Sequence, residues 1–325
     1  MDRAGALTGR SRAQQEVIGA VRGFARDHLA GPDVAVAVSG GADSLALTAA
    51  AVRAGLSVTG LVVDHQLQEG SAATAAWAAA TVVELGAQAR VLTVRPDGGG
   101  GPEAAARRAR YDALEQARGG RPVLLGHTLD DQAETVLLGL GRGSGARSLS
   151  GMAPWTAPWG RPLLGVRRAQ TRQACADWGL EPWQDPHNDD PRYARVRVRH
   201  DLLPRCEEAL GGGVAQALAR TADQLRADDA ALTEWADRVY PEICDGVELV
   251  VEAAAALPGA VGTRVLRRWL ARVGATEPTA AVVAQVWALI ADWSGQGPVA
   301  IGGDAEHRLV VLRSAGFLRA EHRPR

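Results

Sequence analysis

The chain of 325 residues is predicted to fold as an α/β protein, a doubly wound parallel sheet with helices on both faces, followed by a second, mostly helical domain. Three observations predict it. Short apolar runs alternate with helix-length segments through the first half, a glycine-rich turn joins the first run to the first helix, and after Gly211-Gly212-Gly213 the chain changes to long alanine-rich segments. The length favours two domains, and the boundary is placed after those glycines, giving domains 1–213 and 214–325.

The elements follow in order. Val34 to Val38 is the first strand. Ser39-Gly40-Gly41-Ala42-Asp43-Ser44 comes directly after it and opens an apolar-periodic helix near Ser44 to Ala54. Paired glycines allow close backbone approach, a helix N-terminus offers bare N–H groups and partial positive charge, and Ser39 and Ser44 add hydroxyl donors. Such a spot binds anions, phosphate above all. A plain strand-to-helix turn capped by Ser39 or Asp43 would read the same locally, so the rest of the chain decides. Val58 to Val63 is the second strand, ending at Asp64 and His65, and Ala72 to Leu85 the next helix. Ala89 to Val94 is the third strand, Gly98 to Gly101 a flexible tip, and Glu103 to Ala117 a helix. Val123 to Leu125 is the fourth strand, which stops just before His127, and a helix around Asp131 to Leu140 leads into the mobile loop Gly141-Arg142-Gly143-Ser144-Gly145. Ligands of parallel sheets gather at the carboxyl ends of the strands. Ser39, Asp64 with His65, and His127 each fall past such an end, so three loops point to one crevice. In the later domain, helical segments break near Pro241, Pro258 and Pro278, and short β-like runs occupy Val299 to Leu318.

Composition narrows the chemistry. The 36 basic residues are all arginine, against 37 acids, for a net charge of −1. The missing lysine excludes the P-loop lysine of ordinary NTPases and every Schiff-base mechanism. G-x-G-x-x-G is absent too, which sets aside the usual dinucleotide fold. A near-neutral chain does not coat nucleic acid nonspecifically, although it permits a confined basic patch. Cys175, Cys206 and Cys244 lie far apart with no C-x-x-C pair, as expected of reduced thiols. No apolar run reaches the length of a membrane span, so the expectation is a soluble, cytoplasmic protein without a membrane partner.

Four segments carry candidate chemistry. In His127-Thr-Leu-Asp130-Asp131-Gln132-Ala-Glu134-Thr135 the acids Asp131 and Glu134 share a helix face, where they suit a divalent ion beside phosphate. They equally suit a helix start in which Thr128 or Asp131 is the cap and Glu134 closes a capping box. Ala106-Arg107-Arg108-Ala109-Arg110-Tyr111 puts Arg107 and Arg110 on one face, ready for phosphate or simply solvated. Trp183 to Asp190 followed by Arg192-Tyr193-Ala-Arg195-Val-Arg197-Val-Arg199-His200 is an acidic turn and an arginine run that suits an RNA backbone. Asn188 is the single asparagine of the chain, which suggests that its side chain or its tolerance of left-handed backbone is needed there. The fourth segment, Arg264 to Arg272, spaces Arg264, Arg268 and Arg272 four apart, where they either grip an RNA stem or stand in water.

The S-G-G-x-D-S pattern resembles the PP-loop of the N-type ATP pyrophosphatases, the adenine nucleotide alpha-hydrolase-like fold. Taken with V-D-H-Q-L, A-R-R-A-R-Y, G-H-T-L-D-D-Q-A-E-T, and D-P-H-N-D before R-Y-A-R-V-R-V-R-H-D-L-L-P, in this order over residues 34 to 204, it resembles the tRNA(Ile)-lysidine synthetase family in its short form. The resemblance implies an enzyme that uses ATP and Mg²⁺ to adenylate the C2 oxygen of the wobble cytidine of tRNA(Ile) with a CAU anticodon. Free L-lysine is then joined there through its ε-amine, and homodimerisation stays open. It further implies that Ser39, Gly40, Gly41, Ala42, Asp43 and Ser44, with Asp64 and His65, hold the nucleotide. Asp43, Asp131 and Glu134 are then the metal-linked acids, His127 and Arg107 flank the reacting centre, and Arg110, Asn188, Arg195 and Arg199 face tRNA or lysine. Val196 and Thr128 depart from the family's common asparagine and histidine. The rival expectations are another PP-loop enzyme, such as a tRNA thiolase or an amidotransferase-coupled synthetase, and a nucleotide-sensing module without catalysis.

Overall fold

The computed structural model describes residues 10–66, 70–95, 101–143, 145–184, 190–276 and 278–325. Asn188, most of the Gly98 to Gly101 tip and Ser144 lie outside the described residues. The chain divides into two compact units, Met1–Asp223 and Gln224–Arg325.

The first unit opens with a helix that the sequence pattern did not single out, α1 (Arg12–His28), started by a reciprocal capping box between Ser11 and Gln14. Then come β1 (Asp33–Val38), α2 (Ala42–Arg53), β2 (Ser57–Asp64), α3 (Ser71–Glu84), β3 (Gln88–Thr93), α4 (Pro102–Ala117), β4 (Val123–Leu124) and α5 (Leu129–Gly141). After α6 (Ala146–Leu149), β5 (Trp155–Thr156) and β6 (Trp159–Gly160), the chain forms α7 (Arg168–Asp177), α8 (Ala194–Arg197), a π-turn (Val198–Leu202) and α9 (Leu203–Ala209). The helix α10 (Val214–Ile243) runs through the division between the units.

The sheet order is β3-β2-β1-β4-β6-β5, with every neighbouring pair parallel except the last, β6 and β5. The chain winds outward from β1 in one direction and then returns to add β4 on its other side. This switch point opens a crevice between the ends of β1 and β4. Both faces are covered. Val34, Val36 and Val38 of β1 pack with Val17, Ile18 and Val21 of α1 and with α2, α3 and α7, whereas Ala35 faces Leu114 and Ala117 of α4. Burial of each valine stabilises by roughly 1.5–3 kcal/mol, which fixes the register of the central strand. The edge strand β3 is largely exposed, and Gln88, Arg90 and Thr93 supply the polar groups that discourage further pairing.

The second unit adds β7 (Cys244–Asp245), β8 (Glu248–Val250), α11 (Val251–Ala255), α12 (Gly259–Arg272), α13 (Ala280–Ala291), β9 (Val299–Gly303), β10 (His307–Ser314) and β11 (Phe317–Pro324). Its helices pack on an antiparallel sheet of order β7-β8-β11-β10-β9, which is more extensive than the β-like runs of the sequence suggested. Leu266, Trp269 and Leu270 of α12 and Val286 and Leu289 of α13 are buried against Leu309, Val311 and Leu318. The break expected near Pro241 falls two residues on, where α10 ends at Ile243 with that proline in its last turn. Among the described residues no helix is long and apolar enough to cross a membrane.

Candidate active site

Past β1, the turn Ser39–Gly41 delivers α2 with Gly41 at its N-cap and no side-chain cap. The first-turn amides of α2 are therefore open to an anion. Gly40 has φ +81°, and a Cβ there would lie 3.0 Å from the Trp77 ring, so only glycine fits. Its carbonyl accepts the Trp183 N–H at 3.0 Å. The serines act inside the loop. Ser44 Oγ donates to Gly41 O at 2.9 Å and accepts the Ser39 N–H at 3.2 Å, so this hydroxyl shapes the turn rather than reaching outward as expected.

Asp43, in the first turn of α2, accepts the Thr171 hydroxyl and lies 3.5 Å from Arg168 Nε. Burial, with the nearby Asp131 charge adding to it, holds its carboxyl above the ordinary range despite the pull of Thr171 and Arg168. At the end of β2, buried Asp64 accepts the Gln66 N–H at 3.0 Å and turns the chain. His65 Nδ1 is buried without a partner, and burial first, then Arg110, lowers its pKa.

Past β4, Gly126 brings the chain against α2, since a Cβ there would meet the Asp43 backbone at 3.0 Å. His127 follows. Burial, with Arg161, Arg110 and Arg195 nearby, lowers its pKa to about 4 although Asp131 opposes the shift, so the imidazole is neutral at pH 7 and its Nδ1 has no partner. Thr128 then caps α5. Its N–H and hydroxyl donate to Asp131 Oδ2, both at 2.8 Å, and the Asp131 N–H returns at 3.4 Å. Asp131 thus closes the capping box that the sequence assigned to Glu134, and its other oxygen faces the arginines of the crevice. Burial alone would raise Asp131, but Arg168, the Thr128 amide and His127 bring its pKa below the usual value.

The acids do not meet one another directly. Arg168, at the start of α7, gives one nitrogen to each: Nη2 to Asp131 Oδ1 at 2.7 Å, Nη1 to Glu134 Oε1 at 3.1 Å and Nε to Asp43. Arg199, in the π-turn, clasps Glu134 at 2.7 and 3.0 Å and reaches Asp131 at 3.3 Å, while Arg195 stands 3.6 Å from Glu134. Three carboxylates and three guanidinium groups balance in charge, as a largely buried cluster requires. Among the described residues no three His, Cys, Asp or Glu side chains are placed to hold a metal together. Glu134 is fully buried with both oxygens on arginine, which sets it apart from a metal ligand. Asp131 is committed likewise, Oδ2 to Thr128 and Oδ1 to Arg168 and Arg199, which leaves Asp43 as the carboxylate that fits Mg²⁺, an ion that needs one or two carboxylates and completes its shell with phosphate oxygens and water.

A second group is purely cationic. Arg107 and Arg110 flank Tyr111, with guanidinium carbons 5.0 and 5.7 Å from its ring, and Arg107 Nη2 donates to the Tyr111 hydroxyl at 3.4 Å. Arg161 donates to Ala153 O at 3.0 Å while its buried Nε lacks a partner. Burial and then the neighbouring Arg107 and Arg195 lower the pKa of Arg110, as they would in a pocket awaiting an anion.

Arg161, Arg168 and Thr171 escape a reading of the sequence: α7, which bears the last two, carries no local signature, and both act on residues at least 34 positions away. The sequence also suggests free arginines further on. Arg197 instead folds back on the Pro191 and Arg192 carbonyls at 2.7 and 2.9 Å. In the second unit, Arg264 pairs with Asp229 and Arg268 with Asp237, the latter guanidinium 4.4 Å above the Tyr240 ring.

Residues 15–206 match the PP-loop domain model and residues 249–318 the TilS substrate binding domain. The chain is 56% identical over 310 residues to a tRNA(Ile)-lysidine synthase of Nocardia farcinica, covering 94% of this chain and 98% of that one. It is 58% identical over 287 residues to the tRNA(Ile)-lysidine synthase of Rhodococcus erythropolis, with 88% of each chain covered. To the protein of that name from Mycolicibacterium paratuberculosis it is 52% identical over 327 residues, covering 100% and 99%. Among solved structures, the U34-tRNA thiolase NcsA from Methanococcus maripaludis superposes with a TM-score of 0.54 at 18% identity, covering 66% of this chain and 79% of that one, a likeness of fold alone.

Proposed function

The chain belongs to the tRNA(Ile)-lysidine synthase family, and from that premise we propose how its residues carry an ATP-dependent joining of free lysine to C2 of the wobble cytidine of tRNA(Ile). The cytidine O2 attacks the α-phosphorus of ATP and diphosphate departs. The ε-nitrogen of lysine then attacks C2, and the C2–O bond breaks to release AMP. One observation supports the reading above all: past β1 and β4, open helix amides, an acid–arginine cluster and a neutral imidazole come together in one crevice.

The loop Ser39 to Ser44 holds the departing diphosphate on the first-turn amides of α2, with Asp64 and His65 along its rim. Arg107, Arg110 and Arg161 take up charge that develops on the transferring phosphoryl group, the half-buried Arg110 and Arg161 the more strongly because they are less screened than the exposed Arg107. Asp43 would hold Mg²⁺, which would offset the charge of the phosphate oxygens, while Asp131 keeps Arg168 and Arg199 beside it. Glu134 anchors Arg195 and Arg199 on the substrate side. His127 is a neutral imidazole whose unpartnered Nδ1 suits it to accept a hydrogen bond from the lysine ε-amine as it approaches C2, its pKa of about 4 being too low to draw a proton off the ammonium. Work on tRNA with ATP and free lysine suits a cytoplasmic enzyme.

The test is incubation with ATP, lysine and tRNA(Ile) bearing CAU. AMP should form only when all three are present, and lysidine should be recovered at the wobble position. AMP released without tRNA would refute the reading.

A further inference from the structure

The start of α7 touches both the phosphate-loop helix and the acid-bearing helix. The residue before α7, Arg167, binds Asp130 of α5 with Nη2 at 3.0 Å and Nε at 3.2 Å, and the Arg168 N–H donates to Asp130 Oδ2 at 2.7 Å. The Arg168 side chain spans Asp43, Asp131 and Glu134. Thr171, fully buried, donates to Asp43, and one turn further Cys175 Sγ lies 3.3 Å from the Ala42 carbonyl. Positions 167, 168, 171 and 175 recur at helical spacing. None of these contacts serves the sheet edge or solvent; together they join α2 to α5.

We propose that the start of α7 is a clip that sets the spacing between the phosphate loop and the acids of α5, with Arg168 as its positioning residue. The planar guanidinium matters because three nitrogens in a fixed fork address three carboxylates on two elements, a geometry that one ammonium on a flexible stem does not reproduce. The clip aligns the acid beside the diphosphate site with the acids beside the acceptor site, so it governs the chemical step more than nucleotide binding. The assignment rests on the reaction given above.

The experiment compares Arg168→Lys, Asp43→Asn, the double variant, Thr171→Ser and Thr171→Val in the full-length enzyme. AMP formation gives kcat and KM, and calorimetry gives Mg·ATP affinity. Arg168→Lys should lower kcat by about 100-fold, the order expected from a misplacement near 1 Å, with KM for ATP changed less than about threefold. Thr171→Ser should keep most of the activity that Thr171→Val loses. The double variant should lose less than the product of the two single losses, because part of what Arg168 does passes through Asp43. Strictly multiplicative losses, or a wild-type kcat retained in Arg168→Lys, would overturn the clip. Failure of the wild type to make AMP would instead overturn the reaction, and unfolding is distinguished by a melting temperature and Mg·ATP affinity that both collapse.

Discussion

Burial decides what the crevice side chains are at neutral pH. His127, with its pKa near 4, is neutral when folded and binds a proton more readily when unfolded, near 6.5. Between those values the unfolded state holds more protons, so stability contributed by the neutral ring is present at higher pH and is lost as pH falls from about 6.5 towards 4. His127→Gln should flatten that acid limb in a pH series of melting temperatures and lower kcat. Asp43 shows the opposite sign. Its raised pKa means that the ionised form is disfavoured in the fold, so Asp43→Asn should leave the melting temperature unchanged or higher while AMP formation drops by about 10²–10³-fold, a trade of stability for function. Cys175 is fully buried, and burial, with Asp43 beside it, pushes its thiol up to about 12. It should resist alkylation at pH 8 in the native enzyme, as mass spectrometry after iodoacetamide would report, which removes it as a sulfur-transfer nucleophile of the kind a thiolase needs.

At the scale of elements, caps and ion pairs differ in worth according to burial. Thr128→Ala removes the cap of α5 and the groups that orient Asp131, so it should cost about 1–2 kcal/mol in denaturant melts and lower activity beyond that loss. Thr128→Ser should restore both. The paired arginines of α12 should rank by exposure. Arg264 and Asp229 are 21% and 23% exposed, whereas Arg268 and Asp237 are 50% and 54% exposed. Arg264→Ala should therefore destabilise by about 1–2 kcal/mol, with Arg268→Ala within about 1 kcal/mol of wild type. The pairs also show what four-residue spacing alone leaves open: the acids that engage Arg264 and Arg268 come from α10, more than 30 residues away.

For the whole molecule, a net charge of −1 means that RNA affinity must come from a few placed arginines. Arg107, Arg110 and Arg161 form no ion pair with a carboxylate among the described residues, so reversing Arg107 should reduce the salt slope of tRNA binding by about one unit and, because the same side chain faces the transferring phosphoryl group, also slow AMP formation. What the sequence determined is what local pattern encodes. Val34 to Val38 running into S-G-G-A-D-S is a strand, a turn and a helix start within about a dozen residues, and the strand ends alone place Ser39, Asp64 and His127 at one edge of a parallel sheet. The ordered motifs likewise carried the family. Tertiary structure decided the rest. Whether Asp131 caps a helix or faces the crevice could not be divided from the sequence because one oxygen caps and the other meets Arg168 and Arg199, and whether Glu134 meets a metal or arginine depended on the same two residues, 34 and 65 residues from it. Asp43 and Thr171 meet across 128 residues. Periodicity reports which face of an element is apolar, but the partner of a buried charge is chosen by packing, where the cost of leaving it unpaired is set by every element that closes around it.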